Sequence, residues 1–283
     1  MSSHPWPAPA KINLFLHVVG RQENGYHHLQ TVFQFLDYAD ELKFDLFKDE
    51  LISLDSNYTQ ISNDNDLILR AANALKQASG VKKGAAISVM KHIPIGGGLG
   101  GGSSDAATTL VALNELWHTG FSVDELVKLG VKLGADVPVF IRGHSAWAEG
   151  IGEILTPIEP DEDWFVVIHP GCHVPTAQIF ADPDLTRNSP PITIRDFVAG
   201  AVHNDCEQVV FREYPEVARA AKWLNSWSDA RMTGTGSCIF GRFNNKLQAD
   251  EVLKQLPAEW QGFVAQGINY SPLMERLALE KQD

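Results

Sequence analysis

The chain has few cysteines for its length. Its 283 residues include three, Cys172, Cys206 and Cys238, and no two of them form a C-x-x-C pair. A sparse, odd set of this kind is typical of reduced thiols rather than of a disulfide framework. No C-x2–4-C pair, the spacing typical of zinc ligands, occurs, so we expect no structural zinc site. The sequence therefore predicts a protein of a reducing compartment, the cytoplasm.

Surplus positive charge and long apolar runs are also missing. The formal net charge is −12, which argues against a protein that binds the backbone of nucleic acids. No apolar run reaches the ~18 residues of a membrane helix. The start, MSSHPWPAPAKI, lacks the basic and then apolar pattern of a signal peptide. We expect neither a nucleic acid nor a membrane as partner, and no feature indicates an obligate protein partner.

Strand signals run along most of the chain. Near the start, apolar residues at every second position fall on one face of a strand: Ile12, Leu14, Leu16 and Val18. Further strands are predicted over 28–38, 41–47, 50–55, 84–92, 137–141, 145–150, 164–170 and 260–269, with a glycine-interrupted strand over 231–243.

Helix signals lie between these strands. Over 67–79 apolar residues recur at helical spacing, and Gly80 follows where a C-terminal glycine belongs. A second helix is predicted over 103–117, with Ser103 or Ser104 as its N-cap. Further helices are predicted over 216–227, over 246–256 and over 122–134, the last opened by a capping box of Ser122 and Glu125 and closed by Gly134.

The order of these elements predicts the fold class. Strands and helices do not alternate strictly, which favours α+β over a doubly wound parallel sheet. Proline and acidic residues accumulate over 154–163. We therefore predict a boundary there, between one domain at 1–155 and a second at 156–283.

The most unusual segment reads PIGGGLGGGSSDAA, from Pro94 to Ala107, and six of the seven residues from Gly96 to Gly102 are glycine. A flexible linker joins domains, but this run lies between a predicted strand and a predicted helix. Each ordered glycine costs about 0.5–1 kcal/mol relative to alanine. A structured loop tolerates six of them only where the backbone must approach something closely, so a linker is the less favoured interpretation.

Two familiar phosphate-binding patterns fit this run poorly. Gly96, Gly98 and Gly101 match G-x-G-x-x-G, but so dense a run matches almost any glycine pattern. The β-α-β surroundings of a dinucleotide fold, with an acidic residue about 20 positions later, are missing. A Walker A loop is excluded because no Lys follows the glycines.

A phosphate cradle of another design remains. Glycines expose consecutive backbone N–H groups, and the helix that follows adds its unpaired donors and the positive end of its dipole. The hydroxyls of Ser103 and Ser104 can reach phosphate or Mg²⁺, and Ser104 is the candidate metal ligand. Asp105 would repel phosphate, so we expect its carboxylate to point away or to lie near the metal.

Two charged residues lie far from the glycines. Lys11 enters an apolar strand in PAPAKINLFL, and Asp136 precedes VPVF. Alone, each would be interpreted as a solvated strand-end lysine or a turn aspartate. In combination, the order of PxxAKINLFL, GYH, PxGGGLGGGSSDAA, LGADVPVF and TGTGSCIF resembles the GHMP kinases. The resemblance extends from Pro9 to Pro272, nearly the whole chain.

This resemblance implies an α+β protein of two domains. The N-terminal domain would have the ribosomal protein S5 domain 2-like fold and the C-terminal domain a ferredoxin-like fold, with ATP and substrate in the cleft between them. It also implies an ATP-dependent kinase that uses Mg²⁺. The segment GYHxLxTVFQFLDYAD resembles the member that phosphorylates the 2-hydroxyl of a cytidine-diphosphate-linked sugar alcohol in non-mevalonate isoprenoid biosynthesis.

The resemblance also implies roles for individual residues. Lys11 and Asp136 would form the catalytic pair, in which Asp136 accepts or orients the hydroxyl proton. Tyr26 would stack on the cytosine, His27 would hydrogen-bond it, and Phe180 would cover its other face. Further substrate contacts would be Asn13, Phe33 and Thr176, and the ATP contacts would be Leu67, Lys91, Pro94, Ile95, Gly96, Gly97, Gly98, Leu99, Gly100, Gly101, Gly102, Ser103 and Ser104. In relatives an Asn commonly stands where this chain has Asp66, and here Asn65 lies beside it.

Three alternatives stay open. A GHMP kinase for another small molecule, such as homoserine or mevalonate, would not need the cytosine residues Tyr26, His27 and Phe180. A nucleotide-binding regulator without catalysis would need neither Lys11 nor Asp136. An oxidoreductase depends on the G-x-G-x-x-G match alone.

Overall fold

A computed structural model of the chain describes residues 4–21, 25–58, 62, 65–200 and 202–282. Ten strands and ten helices are present in this part of the chain. The strands are β1 Trp6–Arg21, β2 His27–Phe47, β3 Ile52–Ser56, β4 Gly84–Met90, β5 Ala146–Glu149, β6 Ile154–Pro157, β7 Trp164–His169, β8 Arg231–Met232, β9 Ile239–Phe243 and β10 Gln261–Ile268. The helices are α1 Leu67–Ser79, α2 Gly101–Leu116, α3 Val123–Gly130, α4 Val137–Arg142, α5 Thr176–Ala181, α6 Ile194–Val198, α7 Glu207–Glu213, α8 Pro215–Leu224, α9 Lys246–Leu253 and α10 Pro272–Glu280.

The long strand β2 organises the sheet. It pairs antiparallel with β1 along most of its length, with β5 near its start and with β4 near its end. In its middle, Phe35 and Leu36 pair with the end of β10, which continues the sheet through β7, β9 and β8. Register shifts interrupt the β1–β2 ladder on either side of Lys11 and Asn13, as β-bulges do where a strand re-aims its side chains.

Helix α2 lies at the centre of the N-terminal half. Ten consecutive residues, Ser104 to Leu113, are buried, which explains the small and apolar sequence SDAATTLVAL. It packs against α1, α4, β1 and β2. The C-terminal helix α10 returns to this half, where Leu273 joins the same core. The glycine run therefore enters a helix that is fixed on every side.

A second core lies among the C-terminal elements, and a third cluster joins the two halves. The second contains Ile168, Val210, Leu224 and Met232. The third brings Phe15 and Leu99 of the first half together with Phe165, Cys238 and Phe240 of the second. The predicted division at position 155 stays a prediction.

Several sequence predictions agree with the structure. The helix at 67–79 has the predicted bounds, with Gly80 left-handed (φ 70°) after it and the Asp66 side chain accepting from Ile68 N–H at its start. The capping box of Ser122 and Glu125 is present. The α+β class is confirmed.

Other boundaries were predicted wrongly. Helix α2 is capped by Gly100, so Ser103 and Ser104 lie inside its first turn rather than before it. Helix α3 ends at Gly130, and a turn separates it from Gly134. The segments at 28–38 and 41–47 form one strand rather than two.

The predicted strand VPVFI is helix α4. Its residues Val137 to Ile141 are all buried, so the helix has no polar face to reveal its period. A short apolar run is ambiguous between strand and helix for this reason. Pro138, in the first turn of the helix, suits a helix start better than a central strand.

Among the described residues, no helix is long and apolar enough to cross a membrane.

Candidate active site

A cleft of about 880 Å³ brings the motif residues together. It is bounded by β1, the start of β2, the glycine loop, the start of α2 and α5. Every site residue predicted from the sequence lines it, with the exception of Ser104. These residues come from segments up to about 170 positions apart, so the fold alone accounts for their meeting.

The side chain of Lys11 joins several of the groups that line this cleft. Its side chain is almost fully buried, and its ammonium nitrogen Nζ lies 2.6 Å from Asn13 Oδ1, 3.0 Å from the Gly98 carbonyl oxygen and 3.2 Å from Asp136 Oδ2. It also lies 5.2 Å from the centre of the Phe33 ring. A buried ammonium requires such partners. The three acceptors hold its charge at the junction of the glycine loop, β1 and α4.

Asp136 is the partner that keeps access to solvent. Its side chain is 32% exposed, and it precedes helix α4 without using its carboxylate to cap that helix. One carboxylate oxygen contacts Lys11. An aspartate that neither caps a helix nor is enclosed is available to a ligand in the cleft.

The glycine loop combines positive φ angles with close packing. Gly96, Gly98 and Gly100 have φ between 72° and 78°, which residues with a Cβ rarely adopt. A Cβ on Gly98 would lie 2.2 Å from the Thr233 carbonyl oxygen, and one on Gly97 would lie 2.5 Å from Cys238 Sγ. Part of the glycine requirement is therefore the fit of this loop against the C-terminal half.

Hydrogen bonds hold the same loop in place. The Gly97 carbonyl accepts from Cys238 N–H (3.0 Å), and the Leu99 carbonyl accepts from Lys11 N–H (2.9 Å). The Thr233 hydroxyl donates to the Gly98 carbonyl (3.2 Å). These three carbonyls of the loop point into the protein, and their hydrogen bonds fix the backbone that leads into α2.

The start of α2 offers backbone donors to the cleft. The first hydrogen bond of the helix runs from Ser104 N–H to the Gly100 carbonyl (2.8 Å). The N–H groups of Gly101, Gly102 and Ser103 therefore have no acceptor within the helix. A Cβ on Gly102 would meet only Leu67 Cδ1, at 3.6 Å. These donors and the dipole of this 16-residue helix favour negative charge at this end of the cleft.

Asp105, which would repel an anion there as a free carboxylate, is paired with Lys91. Lys91 Nζ donates to Asp105 Oδ2 (2.6 Å) and forms a second, shorter ion pair with Asp40. The other oxygen of Asp40 accepts from His92 N–H and Ile93 N–H (2.6 and 2.8 Å). Burial, opposed by Lys91, raises the pKa of Asp105. The sequence identified Lys91 but missed Asp40, which carries no local motif.

Beside this cluster lies the expected adenine side. Leu67 is half-buried in the wall of the cleft, next to Gly102. Asp66 accepts from Ile68 N–H at 2.8 Å and from the Tyr58 hydroxyl at 2.5 Å. Burial and Asp66 raise the pKa of Tyr58. Asp66 is thus occupied as a helix cap, while Asn65, on the rim, bonds Ser62.

At the opposite end, an aromatic group surrounds the expected base site. The rings of His27 and Phe180 are stacked, with centroids 5.0 Å apart and planes at 25°. Tyr26 is 61% exposed at the mouth. Arg187, which the sequence analysis missed, donates through Nε to His27 Nε2 at 3.1 Å. Burial lowers the pKa of His27, and the charges of Arg187 and Arg21 lower it further.

The remaining expected substrate contacts connect the two ends. Asn13 donates to the Thr31 hydroxyl (2.9 Å), and its backbone N–H donates to the Thr233 hydroxyl (2.9 Å). The Thr176 hydroxyl lies 2.8 Å from that of Thr235. Phe33 forms the floor under Lys11.

Ser104 is the exception. Ser104 is fully buried in α2 and does not line the cleft, whereas its neighbour Ser103 does. Among the described residues, no cluster of three or more His, Cys, Asp or Glu side chains could hold a metal ion.

Comparison with known proteins decides the family. The family described as GHMP kinases N terminal domain matches residues 66–144, and GHMP kinases C terminal matches residues 195–262. A protein of Shewanella baltica (strain OS195) named 4-diphosphocytidyl-2-C-methyl-D-erythritol kinase is 54% identical over 98% of both chains. The chain belongs to the 4-diphosphocytidyl-2-C-methyl-D-erythritol kinase family of GHMP kinases.

Solved structures agree with this assignment. A crystal structure titled 4-(cytidine 5'-diphospho)-2C-methyl-D-erythritol kinase superposes with a TM-score of 0.81 at 32% identity, and covers 93% of this chain and 98% of its own. A mevalonate kinase superposes with a TM-score of 0.70 at 18% identity, over 94% of this chain and 100% of its own. At that identity the mevalonate kinase shows the shared GHMP fold alone.

Proposed function

We propose that the protein phosphorylates the 2-hydroxyl of 4-diphosphocytidyl-2-C-methyl-D-erythritol with ATP, a step of non-mevalonate isoprenoid biosynthesis. One observation carries the proposal. The buried Lys11 and the accessible Asp136 lie 3.2 Å apart in a single cleft that has an anion site at one end and an aromatic pocket at the other. The family to which the chain belongs contains kinases named for this substrate.

The triphosphate would bind at the start of α2. The N–H groups of Gly101, Gly102 and Ser103 would donate to phosphate oxygens, and the helix dipole would favour their charge. Leu67 would contact the adenine from the side. Bound here, ATP supplies the γ-phosphoryl group.

Lys11 and Asp136 would act on the acceptor hydroxyl. Asp136 would accept or orient its proton, which contributes about 10²–10⁴ in rate when a group acts as general base. The ammonium of Lys11 would stabilise negative charge that develops on the transferred group. Since Lys11 is held by Asn13 and Gly98 as well, it needs no rearrangement during the reaction.

The cytidyl group would occupy the aromatic end. Tyr26 would stack on one face of the cytosine and Phe180 would cover the other, while His27 would hydrogen-bond its edge. The sugar-alcohol portion would then lie along Asn13, Phe33 and Thr176, next to the catalytic pair. Stacking of a base on an aromatic side chain contributes about 1–3 kcal/mol.

We also propose that Mg²⁺ enters with ATP. The donor set fits this use, because Mg²⁺ keeps several waters and is commonly held by substrate phosphates with one or two protein oxygens. The hydroxyl of Ser103, a residue that lines the cleft at the start of α2, would be its protein ligand. Asp105 is bonded to Lys91 and Ser104 is buried.

A coupled assay of ADP release tests the function against its nearest alternative, a GHMP kinase for another small molecule. The candidate acceptors are the cytidyl substrate, 2-C-methyl-D-erythritol 4-phosphate without the cytidyl group, homoserine and mevalonate. We expect turnover with the cytidyl substrate and little with the other three. Equal or better turnover of homoserine or mevalonate would refute the proposal.

A further inference from the structure

Arg187 occupies an unusual position at the aromatic end of the cleft. It lies in the segment after α5, about 160 positions from His27, yet its Nε–H donates to His27 Nε2 at 3.1 Å. Arginine is always protonated and has no acceptor atom. The His27 Nε2 atom must therefore be the unprotonated nitrogen.

This bond decides which tautomer of His27 is present. A neutral imidazole has one donor and one acceptor nitrogen. With Nε2 accepting from Arg187, the proton resides on Nδ1. The ring is consequently a hydrogen-bond donor through Nδ1, which is the role that binds an acceptor atom such as cytosine N3 or O2.

The rest of the guanidinium holds Phe180. Nη2 donates to the carbonyls of Phe180 (3.0 Å) and Asp182 (2.5 Å), and Nη1 donates to those of Leu185 (3.1 Å) and Pro183 (3.5 Å). All five N–H donors are therefore used. One side chain fixes both stacked rings, His27 through its nitrogen and Phe180 through its backbone.

We propose that Arg187 is a positioning residue for base recognition, which locks His27 as the Nδ1–H tautomer and holds Phe180 against it. This inference rests on the proposed function for its consequence, the binding of the cytidyl group. The tautomer itself does not depend on any substrate.

Two variants and a matched control test the proposal. Arg187→Met keeps the aliphatic stem and removes all five donors. Arg187→Lys keeps the charge and one donor that can reach Nε2, but cannot bind several carbonyls at once. Arg212→Met is the control, because Arg212 holds the same segment through Asp182 and Asp184 (2.6 and 2.7 Å) without contacting His27.

The first measurement is the tautomer of His27 in the free protein. Two-bond ¹⁵N–¹H NMR spectra identify the protonated ring nitrogen, and the signals are assigned by their loss in His27→Gln. We expect Nδ1–H in the parent, in Arg187→Lys and in Arg212→Met, and a mixture of tautomers in Arg187→Met. An Nε2–H signal in the parent, or an unchanged pure Nδ1–H state in Arg187→Met, would overturn the proposal.

The second measurement separates base recognition from general damage. For Arg187→Met we expect KM for the cytidyl substrate to rise about tenfold, the scale of one strong hydrogen bond, with KM for ATP unchanged. Equal rises in both KM values would contradict the proposal. If the parent shows no turnover of the cytidyl substrate, the proposed function fails, while the NMR result still decides the tautomer.

Discussion

Replacing Asp136 with asparagine is the most informative change in the cleft. The amide has the same shape and removes only the charge and the ability to take a proton. Asp136 does not cap α4 with its side chain, so the helix loses no cap. Lys11 keeps its bonds to Asn13 Oδ1 and the Gly98 carbonyl (2.6 and 3.0 Å). Loss of one charged partner costs about 1–3 kcal/mol of stability, so the variant should stay folded.

The effect on turnover should be much larger than the effect on folding. Loss of a general base reduces the rate by about 10²–10⁴, and we expect kcat of Asp136→Asn to fall by at least about 10². ATP affinity should change little, because the proposed phosphate donors lie on α2 rather than at Asp136. A coupled ADP-release assay gives kcat and titration calorimetry gives the Kd for ATP. Asp124→Asn, which removes an exposed carboxylate from neighbouring α3, is the control. Near-normal kcat in Asp136→Asn would refute the assigned role.

Three further predictions concern the ends of the cleft. Gly102→Val should weaken ATP binding in calorimetry by at least about tenfold at unchanged Tm, because the new side chain would cover the α2 donors and its Cβ has only Leu67 nearby. Unchanged ATP affinity would rule out the phosphate cradle. Tyr26→Ala should raise KM for the cytidyl substrate about tenfold and leave KM for ATP unchanged. Equal rises of the two KM values in steady-state kinetics would contradict the stacking role. Burial raises the pKa of Asp105 from 3.8 to about 7, so the folded protein binds this proton more tightly than the unfolded chain. The stability that the protonated carboxyl group contributes is therefore lost as pH rises through that range. Asp105→Asn should therefore gain in Tm relative to the parent between these pH values and keep that gain above them; a difference in Tm independent of pH would show that Asp105 does not titrate there.

The sequence predicted correctly those helices and strands whose ends are set by neighbouring residues. Helix α1 has the predicted bounds because Gly80 supplies a left-handed residue that ends it. Helix α4 was mistaken for a strand because burial on all sides removes the period that distinguishes the two. The start of α2 was missed because a left-handed Gly100, rather than a serine side chain, precedes it.

The candidate site shows the same division. Lys11 and Asp136 were found through their motifs, yet no sequence pattern gives their 3.2 Å separation. The glycines were interpreted as a phosphate cradle, but Gly97 and Gly98 are also required by Cys238 and Thr233, residues about 135–140 positions away. Contacts of this kind arise only when the chain folds.

The position of the transferred phosphate tests the central claim most directly. Carbon 2 of 4-diphosphocytidyl-2-C-methyl-D-erythritol carries a methyl group and no hydrogen, so a phosphate on its oxygen has no three-bond coupling to a proton. After incubation of the protein with ATP and this substrate, proton-coupled ³¹P NMR should show a new phosphomonoester signal as a singlet, together with ADP. A doublet or triplet, which marks phosphorylation of a secondary or primary hydroxyl, or ADP without a new phosphomonoester, would contradict the account.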